Sequence, residues 1–312
     1  APGDQVRCTF TSRDTSIAVT VDATPEGGQD FEFTACPTTG PCHSFTLDDD
    51  DSAVDPPRSV VLAGLAPGAW TITQAGAPGW GVSSISCGSS GTVDLDTREA
   101  MQVLSPGEQV SCLFVNRRTS LTVVVDSDPN DPQDFSYEAC AGTAPCSTFV
   151  LDDDSTATAP KTTVLLPGAD GVTYTITQGA VDGWGLIRLT CTSGESEIDR
   201  DATRIEVTLA PGDQVTCLFT NRQTTLTLVQ DTSPQGGQDF VYDVCASGGP
   251  DATCSIVTLD DDGTVGALPA STVFTAPGTR TFDITQRVVA GHGLTDRTCT
   301  RGEVRLSERR AV

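Results

Sequence analysis

The 312-residue chain is strongly acidic, with 18 basic and 42 acidic side chains and a formal net charge of −24. Binding to phosphates or to an anionic membrane surface needs a basic footprint, so we expect neither a nucleic-acid partner nor such a membrane partner. No apolar run is long enough to cross a bilayer, and we expect no membrane span.

The chain begins with a strand-like segment, residues 1–13, whose sequence is APGDQVRCTFTSR. It recurs as SPGEQVSCLFVNR at 105–117 and as APGDQVTCLFTNR at 210–222. Alternation of apolar and polar residues predicts a strand in each copy. One face of the first copy carries Val6, Cys8 and Phe10. The same face of the two later copies is expected to line a core.

Three repeats of about a hundred residues follow this segment. In each repeat the landmarks QDF, LDDD, ITQ and a Gly-Trp or Gly-His pair recur in the same order. Apolar residues alternate with polar ones between Gly, Pro and Asp clusters, which predicts about eight short strands per repeat. We therefore predict an all-β chain of three tandem, Ig-like antiparallel β-sandwiches at 14–117, 118–222 and 223–312, the last of which lacks its final strand.

The twelve cysteines have two recurring spacings, which favours pairing within each repeat. Regular pairs indicate an oxidising compartment, so we expect an extracellular or cell-surface protein. Cys8 and Cys299 remain without a partner inside the chain, and the repeat pattern makes them partners in different copies. The expected internal disulfides are Cys36–Cys42, Cys140–Cys146 and Cys245–Cys254, with short loops, and Cys87–Cys112 and Cys191–Cys217, with longer ones.

The first segment and the third repeat have complementary defects. Residues 1–13 would be a donor strand without a sheet, and 223–312 a sandwich without its last strand. Insertion of one into the other satisfies backbone hydrogen bonds and fills side-chain pockets together. Because this contact is heterologous, we expect identical subunits to polymerise head to tail, locked by a Cys8–Cys299 disulfide. The alternative is a chain cut from a longer array, as a segment of a multi-domain surface stalk or adhesin.

The motifs APGDQVTCLFTNR, YTITQ, LDDD and Gly-Trp resemble those of prealbumin-like domains of the SpaA or Cna-B type. The resemblance covers the chain as three copies and implies an extracellular structural or adhesive role, as in bacterial surface proteins and pilins. Many such domains carry a Lys–Asn isopeptide bond, assisted by an acidic residue in the motif similar to YTITQ. Here Gln74, Gln178 and Gln286 take that place and no first strand carries a lysine, so no isopeptide bond is expected. Asn116 and Asn221 match the family's Asn.

The aspartate run of each repeat is expected to form a hairpin turn. Calcium binding is the alternative, because calcium takes several oxygen ligands. The calcium candidates are Asp48, Asp50, Asp152, Asp154, Asp260 and Asp262. Trp80 and Trp184 are expected to pack or cap the sandwiches, although an exposed tryptophan can stack on a glycan. No Ser–His–Asp set recurs, so we expect no enzyme activity and no cofactor. We predict a structural subunit of an extracellular, pilus-like filament.

Overall fold

The computed structural model shows an all-β chain, without a helix in the residues that it describes. These residues are 3–5, 7–50, 56–88, 91–130, 132–154, 159–168, 171–192, 195–199, 203–247, 253–263, 268–275, 281–300, 306–307 and 310–311. Val6, one of the predicted strand anchors, lies outside them. In the described part, nothing has the length and apolarity of a membrane-crossing helix.

The first unit pairs a 4-stranded sheet, β4-β1-β9-β6, with a 5-stranded sheet, β3-β2-β5-β8-β7. Its strands are β1 (Ser16–Thr24), β2 (Phe31–Pro37), β3 (His43–Leu47), β4 (Ser59–Ala63), β5 (Gly68–Gln74), β6 (Trp80–Ser86), β7 (Thr92–Asp94), β8 (Glu99–Leu104) and β9 (Gln109–Arg118). Neighbouring strands are antiparallel except β1 and β9, which run parallel. The last strand of the unit therefore lies between β1 and β6, in the middle of its sheet.

Alternating burial along β1 explains why its sequence forms a strand of a sandwich. Ile17, Val19 and Val21 are fully buried, whereas Ala18, Thr20 and Asp22 between them are not. Phe31 and Phe33 fill the same core from the opposite sheet. Burying an apolar side chain of this size contributes about 1.5–3 kcal/mol, so these positions hold the two sheets together.

The second unit repeats this arrangement, with the sheet orders β13-β10-β18-β15 and β12-β11-β14-β17-β16. Its strands are β10 (Ser120–Asp128), β11 (Phe135–Ala141), β12 (Ser147–Leu151), β13 (Thr162–Leu165), β14 (Val172–Gln178), β15 (Trp184–Cys191), β16 (Glu195–Asp199), β17 (Arg204–Leu209) and β18 (Gln214–Gln223). Here β10 runs parallel to β18. The predicted all-β class is confirmed, and the structure adds these two parallel pairs to the antiparallel pairing of the prediction.

The third unit has a 2-stranded sheet, β19-β22, and a 5-stranded sheet, β21-β20-β23-β25-β24. Its strands are β19 (Thr225–Val229), β20 (Phe240–Ser247), β21 (Thr253–Leu259), β22 (Ser271–Thr275), β23 (Thr281–Gln286), β24 (Leu306–Ser307) and β25 (Arg310–Ala311). Among the described residues, β19 pairs with β22 alone, so a neighbour of the kind that β9 and β18 provide is missing there. The buried hydrophobic core of the described part of this unit is Phe240, Tyr242, Val244 and Leu259.

Candidate functional site: the leading segment and the edge of the third unit

The segment before β1 exposes Cys8 and Phe10, the two predicted anchors that lie within the described residues. Residues 7–15 contain no strand, and the side chain of Phe10 is 94% exposed. The thiol of Cys8 is exposed and free. The equivalent phenylalanines of the two later copies, Phe114 and Phe219, are 0% exposed. The same sequence pattern is thus buried in β9 and β18 but exposed in the leading segment.

The buried copies show what this pattern binds when a sheet surrounds it. In β9, Phe114 packs edge to face on Phe33, with ring centroids 5.1 Å apart, and Cys112 is bonded to Cys87. In β18, Phe219 packs in the same way on Tyr137, at 5.2 Å. Such pairs contribute about 0.5–1.5 kcal/mol beyond the burial of their area. In both later copies the apolar face of this pattern therefore packs into the core between the two sheets.

The third unit has a partly uncovered apolar face on β19. Leu226 and Leu228 of β19 are only half-buried, although their equivalents in β10, Leu121 and Val123, are fully buried. Cys299, which occupies the place of Cys87 and Cys191 in the repeat, is exposed and free. The unit therefore combines a sheet edge, a partly uncovered apolar face and a thiol.

The remaining cysteines form disulfides inside their own units. They are Cys36–Cys42 and Cys87–Cys112 in the first unit, Cys140–Cys146 and Cys191–Cys217 in the second, and Cys245–Cys254 in the third. Cys8 and Cys299 are the free cysteines. They are the two that the repeat pattern assigns to a junction between copies.

A buried amide pair occupies the place where the resemblance implies isopeptide chemistry. Gln74 and Asn116 exchange side-chain hydrogen bonds of 2.7 and 3.2 Å, and both are buried. Gln178 and Asn221 do the same in the second unit, at 2.7 and 3.3 Å. Each amide thereby satisfies a buried polar partner on the opposite sheet. Both pairs are therefore held by hydrogen bonds between side-chain amides.

In the third unit the buried glutamine of the TITQ-like motif, Gln286, forms its hydrogen bonds with residues other than an asparagine. Gln286 donates to the hydroxyl of Tyr242 at 3.1 Å and to Oε1 of Gln230 at 3.3 Å. Tyr242 also donates to Gln230, and burial raises the pKa of its phenol. Gln230 stands where the repeat has Val125. In the third unit the partner of this glutamine is therefore Gln230, which directly follows the first strand, in place of an asparagine on a last strand.

The aspartate motif ties the two sheets of each unit together. Its middle residue accepts a hydrogen bond from the backbone N–H of a residue at or just after the end of the first strand. These bonds are Ala23 to Asp49 at 2.5 Å, Ser127 to Asp153 at 2.7 Å and Thr232 to Asp261 at 2.5 Å. From the sequence, only the outer aspartates of each motif are calcium candidates. Three adjacent aspartates do not show in the sequence which one faces the other sheet.

The first unit leaves part of this motif unsatisfied. Asp48 and Asp49 each bury one carboxylate oxygen, Oδ1, that has no hydrogen-bond partner among the described residues. Burial, and next the nearby carboxylate of Asp50, raise the pKa of Asp48. Among the described residues, a single group brings three ligand atoms within 4.8 Å of one another; it joins one glutamate, Glu138, to the bonded pair Cys140–Cys146. The six aspartates named as calcium candidates do not form such a group in that part of the chain.

The tryptophans pack inside their units. Trp80 lies edge to face on Phe31, and Trp184 on Phe135, each with ring centroids 5.6 Å apart. His292 takes the same place in the third unit, against Phe240. These aromatic contacts account for the Gly-Trp and Gly-His landmarks as packing residues.

Solved structures with detectable similarity come from bacterial surface proteins. One is the Bacillus anthracis TIE protein, at 10% identity and a TM-score of 0.29. The match covers 96% of this chain but only 47%, about half, of the length of the TIE protein. Another is the major pilin of Streptococcus pyogenes, at 13% identity and a TM-score of 0.33, covering 69% of this chain and 99% of the pilin. A Mobiluncus mulieris adhesin has 9% identity and a TM-score of 0.26, covering 69% and 87%. Similarities this weak carry no functional argument.

Family membership rests on sequence instead. The search of curated proteins finds no significant match. The family model described as a prealbumin-like fold domain matches residues 17–118 and 121–223, which correspond to the first two sandwiches. These matches span well over half of the chain. The chain therefore belongs to the family of prealbumin-like fold domains.

Proposed function

We propose that the chain is a structural subunit of an extracellular, pilus-like filament. Residues 1–13 of one copy would be the donor strand that completes the third unit, 223–312, of the preceding copy, while 14–117 and 118–222 are complete in themselves. The observation that carries this proposal is the exposure of Phe10, whose counterparts Phe114 and Phe219 are fully buried. Non-enzymatic, structural roles suit a chain built from three such sandwiches.

The inserted segment would lie between β19 and the residues that lead to Cys299. In the second unit, β18 has β10 on one side and β15 on the other, and Cys191 of β15 is bonded to Cys217 of β18. The same placement brings Cys8 to Cys299. Adding a strand satisfies backbone groups and covers Leu226 and Leu228 at once. Since the donor and the acceptor lie at different places on each copy, the contact propagates into a filament.

The covalent lock is a redox step. The thiols of Cys8 and Cys299 are oxidised to one disulfide, and two protons and two electrons leave. A thiol oxidant of an oxidising compartment, such as an oxidised disulfide oxidoreductase, accepts the electrons. The five disulfides inside the units need the same compartment. This requirement supports an extracellular or cell-surface location.

The test separates a head-to-tail bond from incidental thiol pairing. Oxidised wild-type protein is expected to give a ladder on non-reducing gels that collapses on reduction. Cys8→Ala and Cys299→Ala proteins each retain one free thiol, so neither can extend a disulfide-linked chain. An equimolar mixture of the two is expected to form a heterodimer containing a Cys8–Cys299 peptide, identified by mass spectrometry. A wild-type protein that stays monomeric after oxidation, or a mixture with only symmetrical disulfides, would contradict the proposal.

The second candidate is a segment of a longer stalk of the same units. The observation that favours it is the start of β1, where Thr15 accepts a hydrogen bond from the N–H of Gly107, as Thr119 accepts one from Gly212 at the next junction. The residue before β1 thus makes the same hydrogen bond as the residue between the first and second units. A reading frame with further repeats directly upstream of Ala1 would support the stalk. A signal peptide ending at that point would support the subunit.

A further inference from the structure

A glycine–aromatic–glycine triplet stands at the start of β6 and β15 and at the matching place of the third unit. The first glycine of each triplet, Gly79, Gly183 or Gly291, has φ of 77°, 83° or 83°, a conformation that favours glycine. The second glycines, Gly81, Gly185 and Gly293, do not have such a φ. Backbone conformation therefore does not explain them.

Gly81 is explained by a close approach of the next unit. A Cβ at this position would lie 2.2 Å from the carbonyl carbon and oxygen of Pro211 and 2.4 Å from the nitrogen of Gly212. These two residues form the turn that leads into β18, the last strand of the second unit. The turn before the last strand of one unit thus rests on the preceding unit, and only glycine leaves room for it.

The single residue between the two units completes this contact. Thr119 separates β9 from β10 and is 2% exposed. Its N–H donates to the carbonyl of Gly79 in the first unit at 2.9 Å, and its hydroxyl accepts from the N–H of Gly212 in the second unit at 2.8 Å. Next to it, the N–H of Ser120 donates to the carbonyl of Asp213 at 2.8 Å. These bonds position the turn against the start of β10.

At the junction between the second and third units, the residues of the second unit that would contact such a turn are present. Thr224 separates β18 from β19, and its N–H donates to the carbonyl of Gly183 at 2.6 Å. Thr224 is exposed, whereas Thr119 is buried. A Cβ at Gly185 would meet no atom within 4 Å. No described residue covers the surface formed by Gly185 and Thr224. This surface therefore has room for a turn like the one that rests on Gly81.

The leading segment has the same sequence as this turn. Residues 1–6, APGDQV, are identical to residues 210–215, which form the turn and the start of β18. Gly3 has φ of 101°, in the left-handed region that Gly212 and Gly107 also occupy, with φ of 83° and 74°. The turn that precedes a last strand thus keeps its left-handed glycine in the leading segment.

We propose that Gly185 and Thr224 form a docking surface for this turn from a second copy of the chain, an inference that rests on the donor-strand function proposed above. The N–H of Gly3 donates to the hydroxyl of Thr224, and the N–H of Thr225 donates to the carbonyl of Asp4. Recognition of the incoming strand thereby extends from the third unit onto the second.

The docking surface sets the register of insertion. With the turn in place, the pairing of β10 with β18 carries over to β19, which puts Cys8 opposite Leu228 and Phe10 opposite Gln230. A slip of one residue would turn the apolar face of the segment to solvent, because strand side chains alternate with a period of two. It would also turn Cys8 away from the side on which the repeat places its disulfide partner, Cys299. The contact at Gly185 thus selects the register in which the disulfide forms.

A peptide-binding experiment tests the docking surface. The recipient is the full chain with Cys8→Ser and Phe10→Asp, whose own segment can neither lock nor insert. The probe is a fluorescent synthetic peptide of residues 1–13 that carries Cys8→Ser, so its Kd is measured by anisotropy without a reductant that would open the five internal disulfides. Adding Gly185→Val to the recipient is expected to raise Kd by about tenfold or more through steric conflict. Adding Thr224→Val, which removes the acceptor hydroxyl at constant shape, is expected to raise Kd by about three- to tenfold.

Two controls separate this surface from the donor-strand function itself. Gly27→Val adds the same side chain to the first unit, where a Cβ would meet no atom within 4 Å, and is expected to leave Kd unchanged. A peptide of residues 5–13, which lacks the turn, is expected to bind the Gly185→Val recipient as well as the unsubstituted one. Equal binding of the full peptide to all recipients would overturn the docking surface and leave the donor strand intact. Absence of binding to every recipient would overturn the donor-strand function, and the docking surface with it.

Discussion

The carboxylate of Asp153 binds both the backbone N–H and the hydroxyl of Ser127, at 2.7 and 2.5 Å. Asp153 follows β12 and Ser127 lies in β10, so this pair joins the two sheets of the second unit. The third unit has the same arrangement, with a threonine as the donor. In the first unit the donor position is Ala23, and the buried Oδ1 of Asp49 has no partner in the part of the chain that the structure describes.

Ala23→Ser is expected to stabilise the first unit, because the new hydroxyl can donate to the unsatisfied oxygen of Asp49. A hydrogen bond to a charged group contributes about 1.5–3 kcal/mol, and the net gain here is expected at the lower end of that range. Denaturant unfolding followed by tryptophan fluorescence measures it in a Trp184→Phe background. The remaining tryptophans, Trp70 and Trp80, both report on the first unit.

Ser127→Ala is the reciprocal variant and is expected to destabilise the second unit by about 1–3 kcal/mol, because it leaves a carboxylate oxygen of Asp153 buried and unpaired. The measurement uses a Trp70→Phe, Trp80→Phe background, in which Trp184 reports on the second unit. If both variants left their units unchanged, the hydroxyl would not be part of the link between the sheets.

Asn116→Ala is expected to destabilise the first unit, since it leaves the buried amide of Gln74 without its partner. The expected loss is about 1–3 kcal/mol, the cost of an unsatisfied buried polar group. A double-mutant cycle with Gln74→Ala isolates the coupling between the two amides. A coupling energy near zero would show that the pair contributes only through the volume that its side chains fill.

The burial pattern of the strands could be read from the sequence because a period of two reports which face of a strand is covered. The identity of the neighbouring strand could not, since β1 meets β9 at the far end of its unit in parallel orientation. For the same reason the sequence could not show that Asp49, rather than Asp48, bonds to the other sheet. It also could not show why residue 81 is a glycine. Each of these roles depends on an atom that belongs to another sheet or another unit.

The amide of Gln102 is buried in the core side of β8, and neither its oxygen nor its nitrogen has a hydrogen-bond partner among the described residues. The matching residue of the second unit is Val207, which is fully buried. Gln102→Val is therefore expected to raise the unfolding free energy of the first unit by about 1–3 kcal/mol, because it removes two unsatisfied polar groups.

The matched control is Val207→Gln, which is expected to destabilise the second unit by a similar amount for the opposite reason. Each change is measured in the single-unit tryptophan background that reports on its own unit. A loss of stability in Gln102→Val would indicate that the glutamine amide has a partner, for example a bound water, which valine cannot replace.

Asp48→Asn is expected to stabilise the first unit in a pH-dependent way. Burial, followed by the charge of Asp50, raises the pKa of Asp48 in the folded state, so the folded unit binds this proton more tightly than the unfolded chain does. Wild-type stability therefore falls as pH rises from the unfolded pKa through the raised folded pKa, and the cost is fully present above that folded pKa. Asparagine does not carry that charge. Thermal unfolding in the Trp184→Phe background is expected to show a higher Tm for the variant at pH 7, with the difference vanishing below the unfolded pKa.

Asp50→Asn refines this prediction, since it removes the second cause of the pKa shift and leaves the burial of Asp48 unchanged. It is expected to retain part of the pH dependence, over a narrower interval than in the wild type. A Tm difference between wild type and Asp48→Asn that stays constant across the acidic range would mean that asparagine acts through packing or hydrogen bonding. The charge of Asp48 would then not be what limits the stability of the first unit.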